Sequence, residues 1–415
     1  MANSRGASGR GSRVLIYSHD TFGLGHLRRC RTIAHALVEN HKNLSVLILS
    51  GSPIIGSFDF RARVDFVRVP GVIKLRNGEY TSLNLHLDIE DTLALRASII
   101  QHTAASFDPD IFIVDKEPLG LRGEVTATLE MLKERGTRLV LGLRDVMDEP
   151  RLLVPEWQRK NVLPALNDLY DDIWVYGLPQ ICNPLEGLDI PADVERKMVY
   201  TGYLPRRPST APSVAMPEIT NRPFLLVTTG GGGDGEALID WVMRAYETDP
   251  LLPYPALMVL GPFMAPELQA GFHERAARLD RVEVITFDPH FENLMADAAG
   301  VVAMGGYNTF CEVLSLDKRT IIVPRSMPRM EQTIRAERAE ALGLAQMLPL
   351  DGDRDPAIMA AALRAMPRQK RPSETVVPGL LEGLTNVNRL ATPYLERHDR
   401  NRDGAQDGGS VRQLL

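Results

Sequence analysis

Two doubly wound α/β domains in tandem are what the sequence predicts, and three observations carry the prediction. Short β-branched runs alternate with helix-length spacers along most of the chain, a proline-dense stretch interrupts them near the middle, and glycine-rich turns follow several runs. At about 100–200 residues per domain, 415 residues suffice for two. The composition, 44% hydrophobic and 24% charged, excludes a disordered, collagen-like or disulfide-scaffold chain. Lys and Arg number 47 against 53 Asp and Glu, a net charge of −6, so no basic excess is present for nucleic acid and none is expected as a partner. Cys30, Cys182 and Cys311 are far apart and odd in number, which offers neither a disulfide framework nor a metal knuckle. No apolar run approaches the roughly 18 residues of a membrane span, and Met1 to Ser12 lacks an apolar leader core. A cytoplasmic protein is expected.

In chain order, residues 1–12 read as a flexible start. The run Val14-Leu15-Ile16-Tyr17 predicts a strand, followed by a glycine-bearing loop and a helix with Leu27, Cys30, Ala34 and Leu37 on one face. Further strands are predicted at Val46–Leu49, Val64–Val69, Ile111–Val114, Leu139–Leu141 and Ile173–Tyr176. These fill a first domain over 13–203. Five prolines in 204–223 mark a linker. A second series over 224–378 places strands at Phe224–Val227, Ala256–Leu260, Val282–Thr286, Gly300–Ala303 and Thr320–Val323, with helices near 236–247, 308–316 and 330–342. Residues 379–396 read as a helix that could pack back on the first domain, and 397–415 as a polar tail. Two such sheets in tandem set a cleft between their carboxyl edges.

Four loops could carry chemistry. Gly23-Leu24-Gly25-His26 opens the first helix, where glycines let a ligand approach and free N–H groups favour an anion. His26 there can act as a general base near neutral pH, with Asp20 to orient it or to act itself, or the loop is a glycine turn with a capping histidine. Leu27 and Arg28 follow where a dinucleotide fingerprint continues toward its third glycine, so a nicotinamide or flavin cofactor is not expected. The run Gly230-Gly231-Gly232-Gly233-Asp234-Gly235 follows a strand and suits phosphate contact through backbone N–H, although alone it could be a flexible turn. It lacks the Gly-Lys-Ser/Thr of an ATPase loop. Gly305-Gly306-Tyr307-Asn308-Thr309 opens another helix, with Glu312 placed either to take both hydroxyls of a ribose or to complete a capping box. Glu331 and Gln332 could hold sugar hydroxyls, or simply form an ordinary first turn.

In order and content these motifs resemble the GT-B nucleotide-sugar glycosyltransferases of family 28, whose two Rossmann-like domains face each other across a cleft. The resemblance implies Gly305, Gly306, Asn308 and Thr309 at the donor diphosphate, Glu312 at the ribose, and Glu331 and Gln332 at the donor sugar. It makes His26 the N-domain histidine, with Gly23 and Gly25 toward the acceptor; the family's richer glycine pattern is here only Phe22-Gly23-Leu24-Gly25-His26. The same loop with Arg28, Arg29 and Cys30 also resembles the nucleotide-sugar hydrolase of pseudaminic acid synthesis.

Weaker signals are Asp115-Lys116-Glu117 and Arg144-Asp145, both at carboxyl ends of strands, where either acid could assist an acceptor and where Glu117 and Arg144 are acceptor-side candidates. Lys74, Arg76 and Tyr80 could face an acceptor or belong to a solvated loop. Asp108-Pro109-Asp110 precedes its strand and reads as a turn, and 399–404 matches half a calcium loop without its closing Glu. The expectation is an inverting, metal-independent glycosyltransferase without a cofactor, taking a UDP-linked hexosyl or N-acetylhexosaminyl donor to an acceptor hydroxyl in envelope or polysaccharide synthesis. Peripheral contact with the inner membrane face follows from family analogy alone. Hydrolysis or epimerisation of the nucleotide sugar, and non-catalytic binding of it, are the alternatives.

Overall fold

The computed structural model describes residues 11–19, 25–74, 79–208, 213, 217–231 and 233–396. Asp20, Gly23, Arg76 and Gly232, the start 1–10 and the segment 397–415 lie outside the described residues. Among those described, the first domain carries nine strands: β1 (Ser12–Ser18), β2 (Leu44–Ser50), β3 (Val64–Arg68), β4 (Val72–Lys74), β5 (Tyr80–Ser82), β6 (Ile111–Asp115), β7 (Arg138–Arg144), β8 (Asp172–Tyr176) and β9 (Met198–Tyr200). Seven of them form one parallel sheet in the order β3-β2-β1-β6-β7-β8-β9. The other two, β4 and β5, pair antiparallel, so part of the stretch read as a loop after the third strand is a hairpin arm.

The second domain repeats the plan with β10 (Leu225–Thr228), β11 (Ala256–Val259), β12 (Val282–Ile285), β13 (Gly300–Ala303), β14 (Thr320–Ile322) and β15 (Gln346–Met347). Its parallel order is β12-β11-β10-β13-β14-β15. In both domains the strand order reverses beside the first strand, between β1 and β6 and between β10 and β13. Loops leaving those strands diverge there and open a crevice.

The apolar runs become strands because both faces of each sheet are covered. Alternate residues of β1 feed opposite cores: Val14 and Ile16 join one cluster, Leu15 and Tyr17 another. The helix Gly25–Asn40 fills the first of these with Leu27, Cys30, Ile33, Ala34 and Leu37. That same cluster continues into the second domain through Tyr307, Phe310 and Leu314 and takes in Val387, Ala391 and Leu395 of the last helix, Gly383–Leu395. The chain therefore crosses between domains twice. The crossings lie against each other: Tyr203 N donates to Leu380 O at 2.8 Å and Gly383 N to Tyr203 O at 3.1 Å. Glycine is required at this contact, since a Cβ on Gly202 (φ +88) would sit 2.3 Å from Gly379 O.

Asp108 and Asp110 serve the fold. Asp108 ends the helix Ile89–Phe107 in the left-handed region, and Asp110 accepts the Arg13 N–H at 2.7 Å.

Candidate active site between the two sheet edges

The first crevice holds a histidine–carboxylate–arginine cluster. His26 sits in the first turn of the helix that follows β1, and Asp115 is the last residue of β6, the neighbouring strand. His26 Nδ1 lies 2.5 Å from Asp115 Oδ2 and 3.1 Å from Arg29 Nη2. Arg29, one helical turn beyond and 2% exposed, donates Nε to Asp115 Oδ1 at 2.8 Å and Nη2 to Oδ2 at 2.7 Å. Burial alone would raise the Asp115 carboxyl, but Arg29 and His26 hold it well below the usual range. An ionised Asp115 keeps the proton on Nδ1 of His26 and leaves Nε2 as the free lone pair. Burial pushes His26 down to about 4 against the pull of Asp115, so the ring is neutral at pH 7. His19, buried and with its ring edge-on 5.7 Å from that of His26, is pushed by burial to about 3.

Both shifts bear on acid stability. In the unfolded chain these rings titrate near 6.5, whereas in the fold they stay neutral to about 4 and 3, so between those limits the unfolded state binds more protons. Stability is expected to fall steadily as pH drops from about 6.5 toward 4. Denaturant titrations across that range, with His19→Gln flattening the slope, check it.

Beside the cluster lies a cavity of about 480 Å³ lined by His19, Tyr80, Lys116, Glu117, Lys160 and Arg329, with the Pro118–Gly123 turn as its wall. Glu117 is buried and accepts Lys160 Nζ at 2.8 Å. Arg144, at the end of β7, makes no hydrogen bond or ion pair with any described residue, and its Nε is buried without a partner.

The second crevice is made by three loops. Gly230 is left-handed (φ +71) and donates N–H to Thr228 Oγ1 at 3.2 Å, and Gly231 O accepts Phe263 N at 3.0 Å. The next loop pins Gly305 (φ +78) against Ile322, where a Cβ would lie 2.6 Å from that side chain. Gly306 caps the helix Tyr307–Ser315, whose first N–H groups lack partners within the helix. Asn308 and Thr309 share this first turn. The third loop brings Arg325, which donates to Glu331 Oε1 at 2.9 Å and to Asp234, while Gln332 Oε1 accepts Arg325 N at 3.2 Å. Glu331 Oε2 is buried without a partner.

The two crevices are held face to face. Asn308 Nδ2 donates to Gly25 O at 3.0 Å and its Oδ1 accepts Arg206 Nη2 at 2.8 Å, so both ends of this side chain serve the domain contact and only its backbone N–H is left for an anion. Gly25 accordingly faces the second domain. Glu312 is fully buried, and Arg28, also paired with Glu292, donates to its Oε1 at 2.6 Å. Burial raises the Glu312 carboxyl, with Arg28 only partly offsetting it. Its Oε2 has no partner, so a ribose taking both oxygens has to displace Arg28.

Solved structures of similar fold include glycosyltransferases. The chain aligns with the glycotransferase of kitacinnamycin at a TM-score of 0.58 and 16% identity, over 95% of this chain and 99% of that one. It aligns with MurG of Acinetobacter baumannii at 0.52 and 12%, over 95% and 99%, and with a UGT of Medicago truncatula complexed with UDP-glucose at 0.57 and 13%, over 93% and 98%. The fold is GT-B. No curated protein matches in sequence. Residues 225–375 match the family model described as the glycosyltransferase family 28 C-terminal domain.

The second domain matches the glycosyltransferase family 28 C-terminal domain.

Its boundaries enclose the Gly230, Gly305 and Glu331 loops. The matched segment spans Gly230, Gly231, Gly305, Gly306, Asn308, Thr309, Glu312, Glu331 and Gln332, and Gly25, His26, Glu117 and Arg144 belong to the first domain. Residues that the sequence did not mark are Arg206 and His19, together with the orienting role of Asp115 and the pairings of Arg28 and Arg29, named above only as part of a motif. Asp115 had a signal, a carboxylate ending the wholly apolar run Ile111–Val114. The arginines had none, because their partners lie 86 to 284 positions away.

Proposed function

We propose that the chain moves a sugar from a nucleoside diphosphate sugar, UDP-linked and of the hexosyl or N-acetylhexosaminyl class, to an acceptor hydroxyl, with inversion and without a metal. One observation carries the reading: a neutral His26, aligned by Asp115 and Arg29, stands across the cleft from the glycine loops of a family 28 domain. His26 Nε2 takes the proton of the acceptor hydroxyl as its oxygen attacks the anomeric carbon from the face opposite the diphosphate, and Asp115 stabilises the imidazolium that forms. Charge growing on the leaving diphosphate meets the N–H groups of the Gly306–Thr309 helix start, a role that a divalent ion fills elsewhere. Glu331 and Gln332 hold the transferred sugar, Glu312 the ribose, and Gly230 and Gly231 close on the phosphates. The structures aligned above, one of them with UDP-glucose, support a UDP-sugar as donor.

No helix among the described residues is long and apolar enough to cross a membrane. Action in the cytoplasm, at the inner face of the envelope, is part of the proposal.

A UDP-release assay over a panel of UDP-sugars, with and without cell-envelope extract, tests it. Release that needs extract is the expected result. Release without any acceptor, lost in His26→Ala, would replace transfer by hydrolysis, and UDP-sugar binding without release under either condition would leave a binding protein.

A further inference from the structure

Around the cavity beside His26 the cations share their hydrogen bonds unevenly. Three carboxylates are near it, and each is already held: Glu117 accepts Lys160 at 2.8 Å, Glu156 accepts Lys160 at 2.7 Å and Arg329 at 3.0 Å, and Asp148 accepts Arg329 at 3.3 Å. Lys160 and Arg329 are consumed in this lattice of ion pairs. Lys116 Nζ and Arg144 Nε are left without a hydrogen bond to a described residue. Lys116 lines the cavity, and its only ion-pair contact among the described residues is Glu117 Oε1 at 3.5 Å, longer than a hydrogen bond of useful strength. Arg144, behind the cavity lining, has a buried Nε without a hydrogen-bond partner and Glu331 as its main opposing charge.

Their positions are built by the sheet. Lys116 follows β6 directly and donates its N–H to Gly142 O at 2.8 Å, which ties it to β7, the strand that Arg144 ends two residues later. Lys116 holds φ +69, a conformation that a lysine adopts only at a cost and that the surrounding structure imposes. Burial, with repulsion from Arg144 and Arg329, lowers its amine to about 8 despite Glu117. A strained backbone thus presents a poorly neutralised amine to a cavity with room for a sugar-sized group, next to the proposed base.

We propose that the acceptor carries an oxyanion, a carboxylate or a phosphate, that docks on Lys116 with Arg144 and Arg329 beside it. This rests on reading the cavity as the acceptor half of a transferase. The oxyanion supplies the acceptors that Lys116 Nζ and Arg144 Nε lack, in charge-assisted hydrogen bonds, and its seat fixes which hydroxyl meets His26.

Calorimetry on the full chain saturated with UDP, titrated with inorganic phosphate, is the test; UDP fills the donor's own phosphate site. Wild type is expected to bind phosphate saturably, Lys116→Met to weaken it about tenfold or more, and Lys116→Arg to restore it, with thermal melts confirming that both variants fold. Absence of phosphate binding in wild type, or binding that Lys116→Met leaves unchanged, overturns the proposal. A parallel arm compares UDP-glucuronate with UDP-glucose. Equal affinity keeps the oxyanion on the acceptor, whereas a preference for UDP-glucuronate abolished by Lys116→Met puts it on the donor sugar and overturns the assignment. Failure of UDP to bind at all is a separate result and counts against the transferase reading itself.

Discussion

His26→Ala is expected to lower kcat by about 10²–10⁴-fold while UDP affinity stays within a few fold. The expectation follows from where the ring sits. Its Nδ1 is committed to Asp115 at 2.5 Å, its Nε2 is the free basic atom, and the family 28 glycine loops that would hold the donor belong to the other domain. Asp115→Asn should reduce kcat as well, because an amide can offer His26 an N–H and favour the wrong tautomer, and because Arg29 would lose its buried carboxylate. Since burial keeps His26 near 4, the acid limb of kcat/KM in wild type should lie well below the usual 6.5 of a histidine. Steady-state kinetics with UDP calorimetry decide the matter. A His26→Ala enzyme that keeps its kcat would remove the ring from the chemistry and return the loop to a turn with a capping histidine.

Asp145→Ala is expected to be the most damaging change to stability, at about 3–5 kcal/mol. Arg335, from the family 28 domain, donates Nε and Nη2 to the two oxygens of Asp145, each at 2.7 Å, with both side chains wholly buried. Tyr203 OH donates to Asp145 at 2.7 Å, and Arg335 Nη1 reaches Gly305 O at 2.9 Å. Deleting the carboxylate strands a guanidinium and a phenol away from water, which costs more than the pair itself contributes. Asp145→Leu combined with Arg335→Met should therefore recover part of the loss, since it removes both charges together. Urea unfolding of the two variants gives the comparison. A cost below about 1 kcal/mol for Asp145→Ala would mean that water reaches the pair and that the domains are not locked through it.

The alternation of apolar runs and spacers was enough to place the strands from Val14 to Tyr176 and from Phe224 to Val323, because strands buried on both faces leave continuous hydrophobic runs. The hairpin β4–β5, the short edge strand β9 and the two-residue strand β15 were not legible. Their residues are mixed in polarity or too few to establish a period. The glycines of the 230 and 305 loops and His26 were readable because turn chemistry is local. What surrounds them was not. Arg28 on Glu312, Arg206 on Asn308 and Arg335 on Asp145 are pairings between elements far apart in the chain, and an arginine on a helix carries no mark of the carboxylate it will meet. The same reason hid from the sequence that Glu312, a candidate for a ribose or for a capping box, lies buried under Arg28.

The double crossing between domains has a consequence for biosynthesis. As the ribosome releases the first two hundred residues, the surface of the helix Gly25–Asn40 that will receive Val387, Ala391 and Leu395 has nothing to cover it. The last helix to emerge closes the first domain, and it does so only after the whole of the second has been made. The nascent chain thus waits with an apolar flank open for about half of its synthesis, and a transcript or protein cut short before Gly383 leaves that flank open permanently. Quality control that senses exposed apolar surface would then read truncation at the far end of the chain as a defect of its beginning.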